Sequence, residues 1–331
     1  MSRPAIIVVG SYATGLTMKV ERLPHTGETL LGTGYRVDYG GKGSNQAVGC
    51  ARLGAAVSFV AKIGKDAFGN MALQLYRDEG IEVGYVQQID TSPTGVGFIV
   101  VEKSTGHNCI VLDPGANELL NPDDIERAAR AFSGAKVVLT QLEIPVSAAE
   151  RALALGRSEG AITILNPAPV RPLSRSVLQL VDVLTPNETE AKVLTGRKPY
   201  EKTDPIELAR ELIGLGVRKV VMTLGEKGAL IVTASSVKQI PAIEVTPVDT
   251  TGAGDAFNAG LAVALAMGED LESAVGFAAL TGGLAVTREG VIPSLPNLDE
   301  IVRWMQQKGR NPLPWIQAAA QSKNNSSRVP S

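Results

Sequence analysis

A glycine turn that leads into an acid lies near the end of the chain, in the stretch DTTGAGDAFNAG at residues 249–260. Gly252, Ala253 and Gly254 directly precede Asp255, and the apolar run that follows predicts a buried helix. A helix start offers unpaired N–H groups and a positive dipole end, which together bind anions. A carboxylate beside a bound phosphate is repelled unless it has a chemical task. Accepting the proton of an attacking hydroxyl during phosphoryl transfer is such a task.

We therefore predict that Asp255 is a general base and that the N–H groups of the three residues before it form an anion hole. The alternative is a plain glycine turn followed by an acid in the first turn of a helix, a common arrangement.

A second glycine-rich stretch, GGKGSNQA, begins at Gly40. The glycines around Lys42 would let this loop approach a ligand closely, and Asn45 would either cap the next helix or bind a polyol. The loop is not a Walker A motif, because Gly43 rather than Ser or Thr follows the lysine.

Two further loops follow predicted strands. Asn187, Glu188 and Glu190 cluster where a helix would start, and such carboxylates can hold Mg²⁺ through water. The same spacing also fits a capping box that serves only the helix. Gly225 and Gly228 in TLGEKG predict a tight turn, which could cradle a nucleotide phosphate or be an ordinary turn.

The elements that would position these loops alternate along the chain. Apolar strands and amphipathic helices in alternation predict an α/β fold with a mainly parallel sheet covered on both faces. The predicted strands lie near residues 6–10, 57–64, 136–143, 161–167, 181–187 and 219–225.

Two segments, at about 12–39 and 93–113, break this alternation and predict a small antiparallel lid, the second as a hairpin turning at 103–106. Its apolar side chains could form a dimer surface; these are Ile99, Val101, Ile110 and Leu112. We expect one α/β domain over residues 1–310 and a partly disordered tail over 311–331, where polar residues dominate.

The composition excludes several classes of protein. The formal net charge is −2 and no basic stripe occurs, so a nucleic-acid partner is not expected. Two cysteines and two histidines are too few for a Cys/His zinc site. The low number of cysteines favours a reduced, cytoplasmic environment. No apolar run approaches the ~20 residues that span a bilayer, and the apolar run at the start is too short for a signal peptide.

Taken in order, the loops resemble the ribokinase (phosphofructokinase-B) family of ATP-dependent carbohydrate kinases. The matching stretches are GGKGSNQA, QLE at 141–143, LNPAP at 165–169, TPNETEA at 185–191, TLGEKG at 223–228, DTTGAGDAFNAG and AVTREGVIPS at 285–294. The resemblance covers residues 4–305. It implies a three-layer α/β/α fold with a β-lid, use of ATP and Mg²⁺, often K⁺, and dimerisation through the lid.

The resemblance also implies roles for individual residues. Asp255 would be the base, with the anion hole at Gly252, Ala253 and Gly254. The sugar would contact Gly41, Lys42, Asn45, Glu143 and Asp255 itself. The nucleotide would contact Asn187, Thr223, Gly225, Gly228 and Gly254, with Glu190 near Mg²⁺ through water. A monovalent cation would lie among Asp249, Thr251, Ala285, Arg288, Gly290 and Ser294.

One stretch departs from the family pattern. Ribokinases usually read G-S-x-N-x-D after the first strand, and that Asn and Asp bind ribose hydroxyls. Here Ala13 and Gly15 stand at those positions, and each hydrogen bond lost to a charged partner costs about 1.5–3 kcal/mol. Thr14 or Thr17 could compensate in part, and Tyr12 could reshape the pocket.

The leading hypothesis is an ATP-dependent kinase for the primary hydroxyl of a small sugar, a pentose such as D-ribose. A kinase for another sugar, a sugar acid or a nucleoside is the alternative, because of Ala13 and Gly15. A non-enzymatic sugar sensor on the same fold is a second class of function, against which the intact Asp255 argues.

Overall fold

The structure is a computed structural model and describes residues 3–317 of the chain. In chain order the strands are β1 Ala5–Val9, β2 Ala13–Val20, β3 Thr33–Gly40, β4 Ala56–Gly64, β5 Val86–Ile89, β6 Gly95–Glu102, β7 Asn108–Asp113, β8 Val137–Thr140, β9 Ile162–Leu165, β10 Val183–Leu184, β11 Lys219–Thr223, β12 Ala229–Val232 and β13 Val237–Ile240. The helices are α1 Lys42–Arg52, α2 Ala67–Asp78, α3 Pro122–Arg127, α4 Ala129–Phe132, α5 Val146–Ser158, α6 Arg175–Leu178, α7 Glu188–Leu194, α8 Pro205–Gly214, α9 Ala253–Ala266, α10 Leu271–Ala285 and α11 Leu298–Gln307.

The larger sheet has nine strands in the order β13-β12-β11-β10-β9-β8-β1-β4-β5. β12 pairs antiparallel with β11 and β13, and the other neighbouring pairs are parallel. Central strand β1 is a run of buried Ile and Val because helices cover both faces. Ile6 and Val8 pack in the core that includes α1 and α9, whereas Ile7 and Val9 pack in the core that includes α3 and α5. The predicted three-layer α/β/α fold is confirmed.

A separate sheet of four strands, in the order β3-β2-β6-β7, forms the predicted lid. The prediction of a wholly antiparallel lid is wrong, because β2 pairs parallel with β6: the chain passes through β4 and β5 of the main sheet between the two excursions. β6 and β7 are an antiparallel hairpin that turns at the expected residues. Of the four residues expected on a dimer surface, Ile110 and Leu112 are more than half exposed, while Ile99 and Val101 are half-buried.

Parallel strands bring the loops that follow them to one edge of the sheet. The residues that follow β1, β8, β9, β10 and β11 therefore meet at a single edge, and four of these loops carry QLE, LNPAP, TPNETEA and TLGEKG. GGKGSNQA instead follows lid strand β3, and DTTGAGDAFNAG leads into α9.

The segment from residue 311 begins as part of the core. Residues 314–317 are helical, Trp315 and Ile316 are buried, and the Trp315 ring packs edge-on against Phe277 with centroids 5.1 Å apart. The rest of the expected tail, residues 318–331, lies outside the described residues. Among residues 3–317, no helix has the length and hydropathy needed to cross a membrane.

Candidate active site

Asp255 lies in the first turn of α9 and is 5% exposed. Its two carboxylate oxygens accept hydrogen bonds from two neighbouring residues of α1. Asn45 Nδ2 donates to Oδ2 at 2.8 Å, and Gln46 Nε2 donates to Oδ1 at 2.9 Å. Two neutral amides therefore fix the orientation of the carboxylate, which is the arrangement that a positioned base requires.

Gln46 is a residue that the sequence analysis missed. Its Oε1 accepts from Gln141 Nε2 at 2.5 Å, and its Nε2 also donates to Asn166 Oδ1 at 3.1 Å. Because Oε1 is engaged by Gln141, the amide turns its N–H groups towards Asp255. The available signal was that Gln46, Gln141 and Asn166 all lie inside the stretches that match the family.

The start of α9 is held from two sides. Gly252 has φ +82°, in the left-handed region, and a Cβ there would lie 2.6 Å from Val291 Cγ1, so the turn requires glycine. Asn258 Nδ2 donates to the Gly254 carbonyl at 2.8 Å, and Thr185 Oγ1 fixes the Asn258 amide at 2.6 Å. These contacts set the direction in which the first N–H groups of the helix point.

The N–H groups that are free at the start of α9 are not all the ones expected to form the anion hole. The Ala253 N–H closes a turn onto the Thr250 carbonyl at 3.3 Å. Within residues 3–317, the N–H groups of Gly252, Gly254 and Asp255 have no hydrogen-bond acceptor. Gly254 faces open space, with no atom within 4 Å of the position that a Cβ would occupy. The site therefore offers an anion three free donors, the N–H groups of Gly252, Gly254 and Asp255, whereas the Ala253 N–H is already engaged.

Glu143 connects the GGKG loop to the end of β1. Its Oε2 accepts from Ser11 Oγ at 2.6 Å and from the Lys42 N–H at 2.8 Å. The glycine before Lys42 has a packing role that we had not predicted: Gly41 has φ +87°, and a Cβ there would lie 2.6 Å from Tyr12 Cα. The loop is thus pressed against the chain at residues 11–13, which aligns Lys42 and Asn45 over the site.

Lys42 lies among three carboxylates. The charge of Asp255 raises the pKa of Lys42 against the opposing effect of burial, and Glu143 and Glu190 add to the rise. Lys42 is therefore protonated at neutral pH and lies between the residues expected to bind the sugar and those expected to bind the phosphates.

Asn45 has an unused acceptor. Its Oδ1 is buried and has no hydrogen-bond partner among the described residues. Buried polar atoms are nearly always paired, so this oxygen marks a place for a ligand hydroxyl or an ordered water.

The helix-capping alternative for Asn187 and Glu190 is what the structure shows. Glu190 N–H donates to Asn187 Oδ1 at 2.8 Å, and Asn187 N–H donates to Glu190 Oε2 at 2.9 Å. Burial raises the pKa of Glu190, although this hydrogen bond and the charge of Lys42 oppose the rise. Glu190 is thus both a cap and a carboxylate of the cleft, with Oε1 left over.

The turn at TLGEKG lies beside this cap. Thr223 N–H donates to the Pro186 carbonyl at 3.0 Å, and Asn187 forms a parallel bridge with Thr223. Gly225 begins a 3₁₀ turn that ends at Gly228, and together they close the hairpin between β11 and β12. Four of the five residues expected to contact the nucleotide therefore lie on two adjoining loops, and the fifth, Gly254, lies in the first turn of α9.

The two segments expected to hold a monovalent cation are hydrogen-bonded to each other. Asp249 accepts from the N–H of Thr251 at 2.9 Å and of Gly290 at 3.1 Å, and its own N–H donates to the Val286 carbonyl at 3.2 Å. Burial would raise the pKa of Asp249, but these hydrogen bonds outweigh burial and the pKa lies below its ordinary value.

Arg288 and Ser294 also belong to the expected cation site, and both have hydrogen-bond partners in or near the stretch AVTREGVIPS. Arg288 pairs with Glu300 at 2.8 Å and also donates to the Ser294 carbonyl at 3.3 Å, while Ser294 Oγ donates to the Val291 carbonyl at 2.8 Å. Ala285 ends α10 directly before Val286. Within the described residues, no group of three or more His, Cys, Asp or Glu side chains is placed to hold a metal ion.

Tyr12 packs in the core rather than against the sugar pocket. Its side chain is fully buried, lies edge-on to Tyr76 with centroids 6.2 Å apart, and shares a hydrogen bond of 3.1 Å with the Thr14 hydroxyl. Thr14 is therefore also engaged in the core and does not replace the missing polar groups at Ala13 and Gly15.

Comparison with known proteins assigns the family. Residues 3–309 match the model of the pfkB family carbohydrate kinases. The chain belongs to this family. Like other pfkB kinases, it is an ATP-dependent carbohydrate kinase, and the base, turn and sheet edge described above lie within the matched residues.

Two relatives with named activities align with nearly all of this chain. A ribokinase from Haemophilus influenzae is 35% identical over 92% of this chain and 99% of its own length. A deoxyribokinase from Salmonella typhi is also 35% identical, over 91% of this chain and 98% of its own. The structure of Arabidopsis thaliana ribokinase complexed with ribose and ATP has a TM-score of 0.86 and 32% identity, covering 92% of this chain and 99% of that one.

Proposed function

We propose that this pfkB kinase transfers the γ-phosphoryl group of ATP to the primary hydroxyl of a small sugar, a pentose such as D-ribose. Asp255 takes the proton of the hydroxyl, the hydroxyl oxygen forms a bond to the γ-phosphorus, and the bond from that phosphorus to the bridging oxygen breaks to release ADP. The observation that carries this proposal is the buried carboxylate held by Asn45 and Gln46 directly beside free N–H groups of Gly254 and Asp255.

The sugar would lie against Gly41, Lys42, Asn45 and Glu143. Asn45 Oδ1, which lacks a partner, would accept a sugar hydroxyl, and the Lys42 ammonium would lie near the phosphoryl group in transit. The nucleotide would lie along Asn187, Thr223, Gly225 and Gly228, with its terminal phosphate at Gly254.

Two cations fit the side chains that are present. Glu190 has a carboxylate oxygen to spare and would hold Mg²⁺ through water. Bound Mg²⁺ would neutralise charge on the phosphate oxygens. A K⁺ ion would fit between the two hydrogen-bonded segments, with the ionised Asp249 carboxylate and neighbouring carbonyls as ligands. The bound ion would order these two segments and thereby fix the position of the start of α9.

Two properties of the whole protein are also proposals. Exposed apolar side chains on the lid, among them Ile110 and Leu112, would bury themselves in a homodimer. Cys50 and Cys109 are both free thiols, which agrees with a cytoplasmic location.

A different substrate is the second candidate, and Ala13 and Gly15 favour it. Equal identity to a ribokinase and to a deoxyribokinase means that overall similarity does not choose between their sugars. Another sugar, a sugar acid or a nucleoside therefore stays an alternative. A sensor without activity is disfavoured, because a sensor has no use for a positioned base.

The test is ADP release by purified protein with Mg²⁺ and K⁺ present, against pentoses, 2-deoxyribose, hexoses, sugar acids and nucleosides. The proposal predicts that D-ribose has the highest kcat/KM and that the product carries phosphate on the primary hydroxyl. A clearly better substrate of another class would replace the pentose in the proposal, and no turnover with any compound would overturn it.

A further inference from the structure

Ala13 and Gly15 lie on the face of β2 that is turned towards the cleft of the candidate active site. Side chains alternate along a strand, and Tyr12 and Thr14 both point into the core. Ala13 and Gly15 therefore point the opposite way, on the side of Ser11. Ser11 Oγ is buried, donates to Glu143 and accepts from the Gly43 N–H at 3.3 Å, so it lies among the loops that form the candidate site.

Asp38 lies directly opposite Gly15 on neighbouring strand β3. Partners in an antiparallel pair share a face, so the Asp38 carboxylate is also on the cleft side. A Cβ built on Gly15 would lie only 3.7 Å from Asp38 Cβ. Two carboxylates opposite each other would repel, so the aspartate at position 38 disfavours a second aspartate at position 15.

Arg36 orients this carboxylate. Its Nε donates to Asp38 Oδ2 at 2.5 Å, and the two side chains are 49% and 29% exposed, so a ligand can reach both. Only Gly41 separates the end of β3 from α1, whose Asn45 and Gln46 hold the Asp255 carboxylate.

We propose that Asp38 binds the sugar hydroxyls in place of the carboxylate missing at position 15, and that Arg36 is its positioning residue. The inference rests on the proposed sugar-kinase function and narrows its substrate class. A carboxylate accepts hydrogen bonds from hydroxyl groups, so the substrate is a neutral polyol with free secondary hydroxyls. A sugar acid would bring a second negative charge next to Asp38.

The proposal is tested by removing the carboxylate at position 38 and placing one at position 15 on the neighbouring strand. Asp38→Ala is expected to lower kcat/KM for the preferred sugar about 10- to 100-fold, mainly through KM, as loss of a charged hydrogen bond predicts. The double variant Gly15→Asp with Asp38→Ala should recover much of that loss, whereas Gly15→Asp alone should not. Asp113→Ala removes a carboxylate from the other face of the same sheet and should change nothing.

Arg36 has its own test. Arg36→Met should raise KM for the sugar without lowering kcat, and it should add little in the Asp38→Ala background, because a positioning residue acts through its partner. An equal effect of Arg36→Met in both backgrounds would overturn its role as a positioning residue.

Calorimetric titration of the sugar separates this inference from the proposed function, because binding needs no turnover. Weaker binding to Asp38→Ala with recovery in the double variant supports the inference even if phosphorylation fails. Unchanged binding and KM in Asp38→Ala overturns it while leaving the kinase proposal intact. Preference of the wild-type protein for a sugar acid, or no sugar binding at all, also overturns it.

Discussion

At the scale of single residues, the catalytic proposal depends on how Asp255 is held. Asn45 and Gln46 each use one amide to fix one oxygen, and Gln141 fixes Gln46 in turn. The base is therefore oriented by a chain of neutral hydrogen bonds that reaches from α9 through α1 to the end of β8. In the proposed reaction Asp255 itself then accepts the proton of the sugar hydroxyl, because its amide partners are neutral.

The first prediction concerns Gln46. Gln46→Leu should lower kcat at least tenfold and leave KM for ATP unchanged, because it frees the base without touching the nucleotide loops. It should also cost about 1–3 kcal/mol of stability, since Gln141 and Asn166 lose a buried partner. Steady-state kinetics and urea unfolding measure the two effects. Gln74→Leu, on an exposed position of α2, is the matched control. An unchanged kcat in Gln46→Leu would argue against the role of this hydrogen-bond chain in orienting Asp255.

How much of the site the sequence predicts differs from residue to residue. Asp255, Asn45, Lys42 and Glu143 were predicted and lie together, because each stands in a loop at the carboxyl edge of a parallel sheet or at a helix start beside it. Gln46 was not predicted, because a buried amide gains its role only from partners about 95 and 209 residues away.

Asp38 shows the same limit. Nothing in the sequence alone says that residue 38 lies opposite residue 15, because that follows from the register of β2 and β3. Gly41 was predicted to approach a ligand, whereas the structure gives it a packing role against residues 11–13. The sequence thus predicts chemistry carried by local motifs and misses chemistry made by pairing across elements.

At the scale of elements, the direction of α9 decides whether its N–H groups reach the phosphoryl group. The helix is held at its start by the left-handed turn at Gly252 and by the contact of Asn258 with the Gly254 carbonyl. Its two ends each carry a glycine with positive φ, Gly252 and Gly268, but only the first is in close contact with another segment.

This difference gives a matched pair of variants. Gly252→Ala should destabilise the protein by roughly 1–3 kcal/mol, through backbone strain and the clash with Val291, and should sharply lower kcat. Gly268→Ala has the same backbone strain with no neighbour within 4 Å, so it should cost less stability and leave kcat unchanged. Thermal unfolding and turnover assays measure both. Equal kcat values in the two variants would show that the turn at Gly252 does not aim the anion hole.

At the scale of the whole molecule, the lid and the main sheet are joined through β2 and β3, which begin and end beside the catalytic loops. In the proposed function the lid would therefore cover the sugar on one side, while its edge strand β7 presents exposed apolar residues. Association of two lids would bury those residues.

The prediction at this scale concerns assembly. Wild-type protein should sediment as a dimer, and Ile110→Lys should shift it to a monomer, because an unpaired charge would be buried in the interface. Tyr200→Lys changes an exposed aromatic residue outside the lid and should leave the dimer intact. Analytical ultracentrifugation at several concentrations measures this, and a monomeric wild-type protein would refute the proposed lid interface.

The most direct test of the central claim is single-turnover phosphoryl transfer from ATP to the preferred sugar, in the wild-type protein and in Asp255→Asn. Asp299→Asn, the same change in the first turn of α11, is the matched control. We predict a rate about 10²- to 10⁴-fold lower in Asp255→Asn, with the sugar still bound, the fold intact and the control at the wild-type rate. A folded Asp255→Asn protein that transfers the phosphoryl group at the wild-type rate would contradict the assignment of Asp255 as the base.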